Sequence, residues 1–111
     1  MVGAVEDLSP AFLITLNQLE HDCGFTLRIN SGLRQPDHNA SVGGVSDSAH
    51  LPDENGVGHA ADLDCPNSWQ RLIIVKKAIA LGINRIGIGK TFIHVDDSVT
   101  LPQNVCWTYY P

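Results

Sequence analysis

Four side chains in this 111-residue sequence stand out by type and spacing as able to hold a metal or move a proton: His50, Asp62, His94 and Asp96. His94 and Asp96 lie in the run Phe92-Ile93-His94-Val95-Asp96. Strand alternation puts Ile93 and Val95 on one face and the imidazole and carboxylate together on the other. In the same way Ala60, Asp62 and Asp64 share a face, with Ala61, Leu63 and Cys65 opposite. Ionisable groups on one face of a buried sheet are costly unless they bind something. His50 follows Ser48-Ala49 at the edge of a Gly-rich loop. Two His and one Asp supply the N and O ligands that zinc takes. Three protein ligands leave a fourth tetrahedral position for water, the count of a catalytic rather than a closed structural site. From spacing alone the bland alternative stays open, that these are surface or capping residues.

The remaining polar and aromatic residues have plainer readings. Alternation places His59 on the opposite strand face from Asp62, so a structural or loop role is expected. His38 belongs to a turn in Pro36-Asp37-His38-Asn39. His21 falls near the end of the first helix, where a cation suits the dipole. Asp64 either accepts a hydrogen bond from a ligand or faces solvent. Ser48 either bonds near a metal or caps the turn before His50. Trp69, Trp107, Tyr109 and Tyr110 are expected to pack over the core.

The elements that must position these groups follow from the pattern. Ser9-Pro10 is a helix start, with Ser as N-cap and Pro at the first position. Phe12, Leu13, Leu16 and Leu19 then recur at helical spacing, and Gly24 stops the helix. Residues 25–30 alternate like a strand, residues 31–44 read as turns, and residues 51–58 form a loop. A short strand over residues 59–65 precedes a second helix, opened by Pro66-Asn67-Ser68 with Asn67 and Gln70 as a capping-box-like pair. Its inner face is expected at Leu72, Ile73, Lys76, Ile79 and Ala80, and Gly82 ends it. Residues 83–89 and 92–97 are two more strands. This order implies an α+β domain with a small antiparallel sheet flanked by helices.

Composition bounds the possibilities. A hydrophobic fraction of 43% and a charged fraction of 17% are those of a globular domain, and the length fits one domain over residues 1–111. Net charge is -5 and no Lys/Arg run exists. That excludes a nucleic-acid footprint and electrostatic docking on anionic membranes. Cys23, Cys65 and Cys106 are odd in number and widely spaced, so buried reduced thiols are expected rather than disulfides. Residues 1–10 carry Glu6 and Asp7 without an apolar run, unlike a signal peptide, and no segment is long enough to span a bilayer. The expectation is a monomer made in the cytoplasm.

The segments Ser31-Gly32-Leu33-Arg34, Asn39-Ala40, Val42-Gly43-Gly44, Ser48-Ala49-His50, Gly58-His59-Ala60-Ala61-Asp62, Gly87-Ile88-Gly89 and Phe92-Ile93-His94-Val95-Asp96 resemble, in that order, the zinc D-Ala-D-Ala carboxypeptidase family. That group also includes lysostaphin and the hedgehog signalling domain. The match covers roughly residues 31–97, and Trp107-Thr108-Tyr109 resembles the family's C-terminal end. The resemblance implies the hedgehog/DD-peptidase-like zinc peptidase fold, with one Zn²⁺ held by His50, Asp62 and His94. It also implies hydrolysis of a peptide bond in a peptidoglycan stem peptide by a metal-activated water. Arg34 resembles the family's substrate-meeting arginine, and Ser48 is a further candidate substrate contact. The small size resembles phage-encoded members, which reach the cell wall after release or as part of a particle.

Two departures from the family pattern matter. The common His-x-x-Gly-x-Ala-x-Asp spacing is lengthened by five residues, near Asp53 to Val57. A loop insertion of this length costs little, so convergence of the ligands is still expected. Many relatives also place an acidic residue three positions before the last His, where this chain has Thr91. Asp96 is then the candidate catalytic base, its alternative being a carboxylate that orients His94.

Overall fold

The computed structural model describes residues 1–34 and 48–110. Strand β1 is Val2–Gly3, helix α1 Pro10–Cys23, β2 Arg28–Ser31, β3 Ala60–Asp64, α2 Ser68–Ala80, β4 Arg85–Ile88, β5 Phe92–Asp96 and β6 Val105–Thr108. The six strands form one sheet in the order β1-β2-β3-β5-β4-β6.

Both helices begin and end where their capping residues dictate. The Ser9 hydroxyl accepts from the Phe12 amide, and Pro10 opens α1. Gly24 closes α1 at φ 78°, its N–H returning to the Glu20 carbonyl, a left-handed conformation that glycine adopts without a Cβ clash. The Asn67 side chain caps α2 by accepting from the Gln70 amide, and donates to the Gln70 side chain in return. Phe12, Leu16 and Leu19 of α1 pack with Ile74 and Ala78 of α2 against Ala61, Leu63, Ile93 and Val95 of the sheet. Each of these side chains is removed from solvent, a burial that favours folding by about 25 cal/mol per Å² of apolar surface. One sheet face is therefore core, and the other is left for polar groups.

Several expectations are corrected. The sheet is mixed rather than antiparallel: its central pairings β2–β3, β3–β5 and β4–β5 are antiparallel, but both edges, β1–β2 and β4–β6, are parallel. The second strand begins at Arg28, not at Phe25. Helix α2 turns a different side inward, burying Ile74 and Ala78 while Leu72 and Ile79 are 67% and 61% exposed. Seven of its thirteen residues are aliphatic, so apolar identity alone did not fix its phase. Cys106 is exposed, whereas Cys23 and Cys65 are buried and burial pushes the Cys23 thiol up to about 11. Among the described residues no helix is long and apolar enough to cross a membrane.

Candidate metal centre

The polar sheet face is organised by one lateral row. Ser31 of β2 stands opposite Asp62 of β3, Asp62 opposite His94 of β5, His94 opposite Gly87 of β4, and Gly87 opposite Trp107 of β6. Strand alternation puts all five on the same side of the sheet.

His50 reaches this row from the loop side. Its amide is held by the Ser48 hydroxyl at 3.2 Å, and its carbonyl accepts from the Arg34 amide at 2.7 Å. The loop over residues 51–58 behind it is also built. Asp53 Oδ1 accepts from the amides of Asn55 and Val57, and Gly58 exchanges backbone hydrogen bonds with Asp7 and Ser9. The loop is thus an ordered turn, and His50 converges with Asp62 and His94.

His50 Nε2, Asp62 Oδ1 and His94 Nδ1 form that convergence. The two imidazole nitrogens lie 3.2 and 3.1 Å from the same carboxylate oxygen. All three donor atoms fall within 4.8 Å of one another. Tetrahedral zinc with metal–ligand distances of about 2.0–2.1 Å needs ligand atoms roughly 3.3 Å apart, so two edges of the triangle already match.

The opposite side of each ring is fixed. His50 Nδ1 donates to the Gly32 carbonyl at 2.7 Å, and His94 Nε2 lies 2.6 Å from Asp96 Oδ2. A carbonyl can only accept, so the His50 ring proton sits on Nδ1 and, in the neutral ring, Nε2 offers a lone pair to the cluster. A lone pair aimed at a carboxylate oxygen is unfavourable unless a positive species lies between them, either a proton or a metal ion. The same conflict shows in the titration of the neighbours. Burial opposes the charge of Asp62, but the His50 and His94 rings beside it outweigh burial and hold the carboxyl well below its ordinary range. Burial likewise opposes the His94 imidazolium, but Asp62 and Asp96 outweigh it and raise its pKa. The donor set therefore fits a cation, with both rings held in the tautomer that a metal requires.

Asp96 lies on the far side of His94 from Asp62. It is 1% exposed. Its Oδ2 meets His94 Nε2 on the ring edge away from Asp62, and its Oδ1 accepts from Arg85 Nε at 2.7 Å and the Ser98 amide at 3.1 Å. Burial opposes its charge, but His94 and Arg85 outweigh it and its pKa is lowered. Both Asp96 oxygens are thus engaged, Oδ2 with His94 and Oδ1 with Arg85 and Ser98. Thr91 is exposed, and its carbonyl accepts from the Cys65 amide.

Arg34 adjoins the centre. Its Nη2 lies 3.2 Å from Asp62 Oδ2 and its Nε donates to Ser31 Oγ, so the guanidinium turns Asp62 Oδ1 toward the histidines. The Ser48 hydroxyl accepts from the His50 amide. His59, on the other side of β3, bridges Asp53 and Asp97 at 2.7 Å each. Asp64 is exposed. His38 and the 42–44 run lie outside the described residues.

The aromatic tail is where the sequence reading fell short. Trp107 and Tyr109 do not cover the core. They lie on the metal face, with ring centroids 5.3 and 6.4 Å from that of His94. Arg85 stacks on Trp107 at 5.0 Å. The signal available was Gly87, which leaves room on that face for exactly such rings: a Cβ there would stand 2.6 Å from Tyr109 and 2.7 Å from Trp107.

A family model described as Peptidase M15 matches residues 2–96. The chain belongs to the peptidase M15 family. The matched span contains His50, Asp62 and His94, the cluster able to hold a metal in this peptidase M15 member. No curated protein matches the chain.

Proposed function

We propose that this peptidase M15 member is a zinc-dependent hydrolase of a peptide bond in the stem peptides of bacterial cell-wall peptidoglycan, of D-Ala-D-Ala carboxypeptidase or endopeptidase type. The observation that carries the reading is the convergence of His50 Nε2, Asp62 Oδ1 and His94 Nδ1, with the far nitrogen of each ring held by an acceptor. Those three atoms would hold Zn²⁺, which when bound lowers the pKa of a coordinated water toward neutrality and polarises a carbonyl. The remaining chemistry belongs to the chain. Asp96 fixes His94 so that Nδ1 keeps its lone pair, and Gly32 does the same for His50. Arg34 sets a permanent positive charge beside Asp62, suited to a substrate carboxylate or a developing oxyanion. A terminal carboxylate on the substrate favours the carboxypeptidase type.

A second reading has its own support. Thr91 stands where many relatives carry an acidic residue, and Asp96 is fully engaged with His94, Arg85 and Ser98. Both favour a zinc-holding module with a binding or structural role. One experiment separates the two. Purified protein is incubated with isolated peptidoglycan, and new amino groups and fragment masses are followed with chelator and with zinc restored. Zinc-dependent fragments support the hydrolase, and their masses name the bond. Stoichiometric zinc without fragments leaves the binding module.

A further inference from the structure

We propose that Tyr109 contacts the substrate in this site, its phenol donating a hydrogen bond to the oxygen of the carbonyl under attack; this rests on the peptidase reading above. The placement follows from the sheet. β6 sets Trp107 opposite Gly87, which in turn stands opposite His94. With no side chain at Gly87, the Trp107 and Tyr109 rings settle over the sheet there, and Tyr109 also packs on Phe92 at 5.0 Å. The Tyr109 ring centroid lies 6.4 Å from that of His94.

Tyr109 meets Trp107 edge to face, with ring centroids 6.2 Å apart. A phenol carries one O–H donor and ordinarily titrates near about 10, so at neutral pH it acts as a donor, not a base. The side chain is still 51% exposed, which leaves it open to a ligand entering over the metal face. If packing were its whole purpose, phenylalanine would serve equally.

The test compares zinc-loaded wild type with Tyr109→Phe, which keeps the ring and removes the hydroxyl. Turnover and KM are measured on a stem peptide. Calorimetry measures the affinity of a phosphinate analogue, whose tetrahedral anionic oxygen mimics the attacked carbonyl. Zinc content and Tm are recorded alongside. A fully buried oxyanion donor contributes about 10²–10³-fold to turnover, and a half-exposed one contributes less. The expected result is a kcat lower by about 10- to 100-fold and phosphinate binding about 10-fold weaker, with KM, zinc content and Tm little changed. Wild-type values for both kcat and phosphinate affinity overturn the proposal, and so does a loss that tracks lost zinc or lowered Tm. If wild type binds the phosphinate but cuts nothing, the hydrolase reading fails and the binding comparison still decides the role of Tyr109. If it does neither, both fall.

Discussion

Asp96→Asn separates an orienting carboxylate from a proton-carrying one. In the native chain Asp96 only accepts: from His94 through Oδ2, and from Arg85 and Ser98 through Oδ1. Asparagine has one accepting oxygen. The stronger demand is that of Arg85 and Ser98 together, because two donors converge there and one is charged. The amide nitrogen is then left facing His94 Nε2. Two donors cannot share that contact, so the His94 proton moves to Nδ1, the atom that faces Asp62. The ring is now in the wrong tautomer to offer a ligand. Restoring the correct one leaves a buried donor unpaired, which costs about 1–3 kcal/mol. At 1.36 kcal/mol per factor of ten that is roughly 5- to 150-fold in affinity, which brackets the 10- to 100-fold range typical of partners of metal-binding histidines.

The expected outcome is therefore zinc affinity weakened about 10- to 100-fold, measured by competition with a chromophoric chelator at neutral pH. Turnover should recover when zinc is raised to saturate the variant. Stability of the metal-free variant should fall by less than the roughly 3–5 kcal/mol of a broken buried ion pair, since Arg85 keeps an acceptor. An unchanged zinc affinity with turnover lost even at saturating zinc would refute the reasoning and make Asp96 the proton carrier.

Three further outcomes test the frame around the site. Burial opposes the His59 imidazolium, but Asp53 and Asp97 outweigh it and raise its pKa; the stability this confers is present below the unfolded value of about 6.5 and lost as pH rises through the raised folded value. His59→Gln should therefore lower Tm more in mildly acidic than in alkaline buffer, and equal deficits at both ends would contradict the bridge. Ile74→Ala should cost about 2–5 kcal/mol in denaturant melts, whereas Leu72→Ala should stay within about 0.5; the reverse order would mean α2 packs by its other side. Gly87→Ala should push Trp107 and Tyr109 off the sheet, seen as a change in tryptophan fluorescence and a stability loss of about 1–3 kcal/mol; unchanged emission would show that the rings do not rest there.

What the sequence made legible was whatever a short local rule determines. Period-two alternation placed His94 with Asp96, and Asp62 away from Leu63, because only one sheet face is core and a one-residue slip would bury the charges. The caps fixed α1 from Ser9 and Gly24, and α2 from Asn67. The parts that stayed hidden depend on pairings distant in the chain. β1, two residues long, is too short to announce itself, β6 reads as tail, and these two are the parallel edges. The phase of α2 was lost because its surplus of aliphatic residues offers more than one apolar stripe. The partners of the two Asp96 oxygens, one of them Arg85 on the neighbouring strand, were likewise not readable from spacing.

The centre itself is a consequence of register more than of motif. Asp62 and His94 meet because β3 and β5 pair at those two positions, and they could meet in no other register that keeps Leu63 and Ile93 in the core. Continued outward, the same row brings Ser31, which holds Arg34, to one side and Gly87 with Trp107 to the other. Each flank then has a chemical character: cationic beside Asp62, aromatic with one phenol beside His94. Only His50, of the three, comes from outside the sheet. A loop can change length there because the sheet, not the loop, fixes the other two ligands.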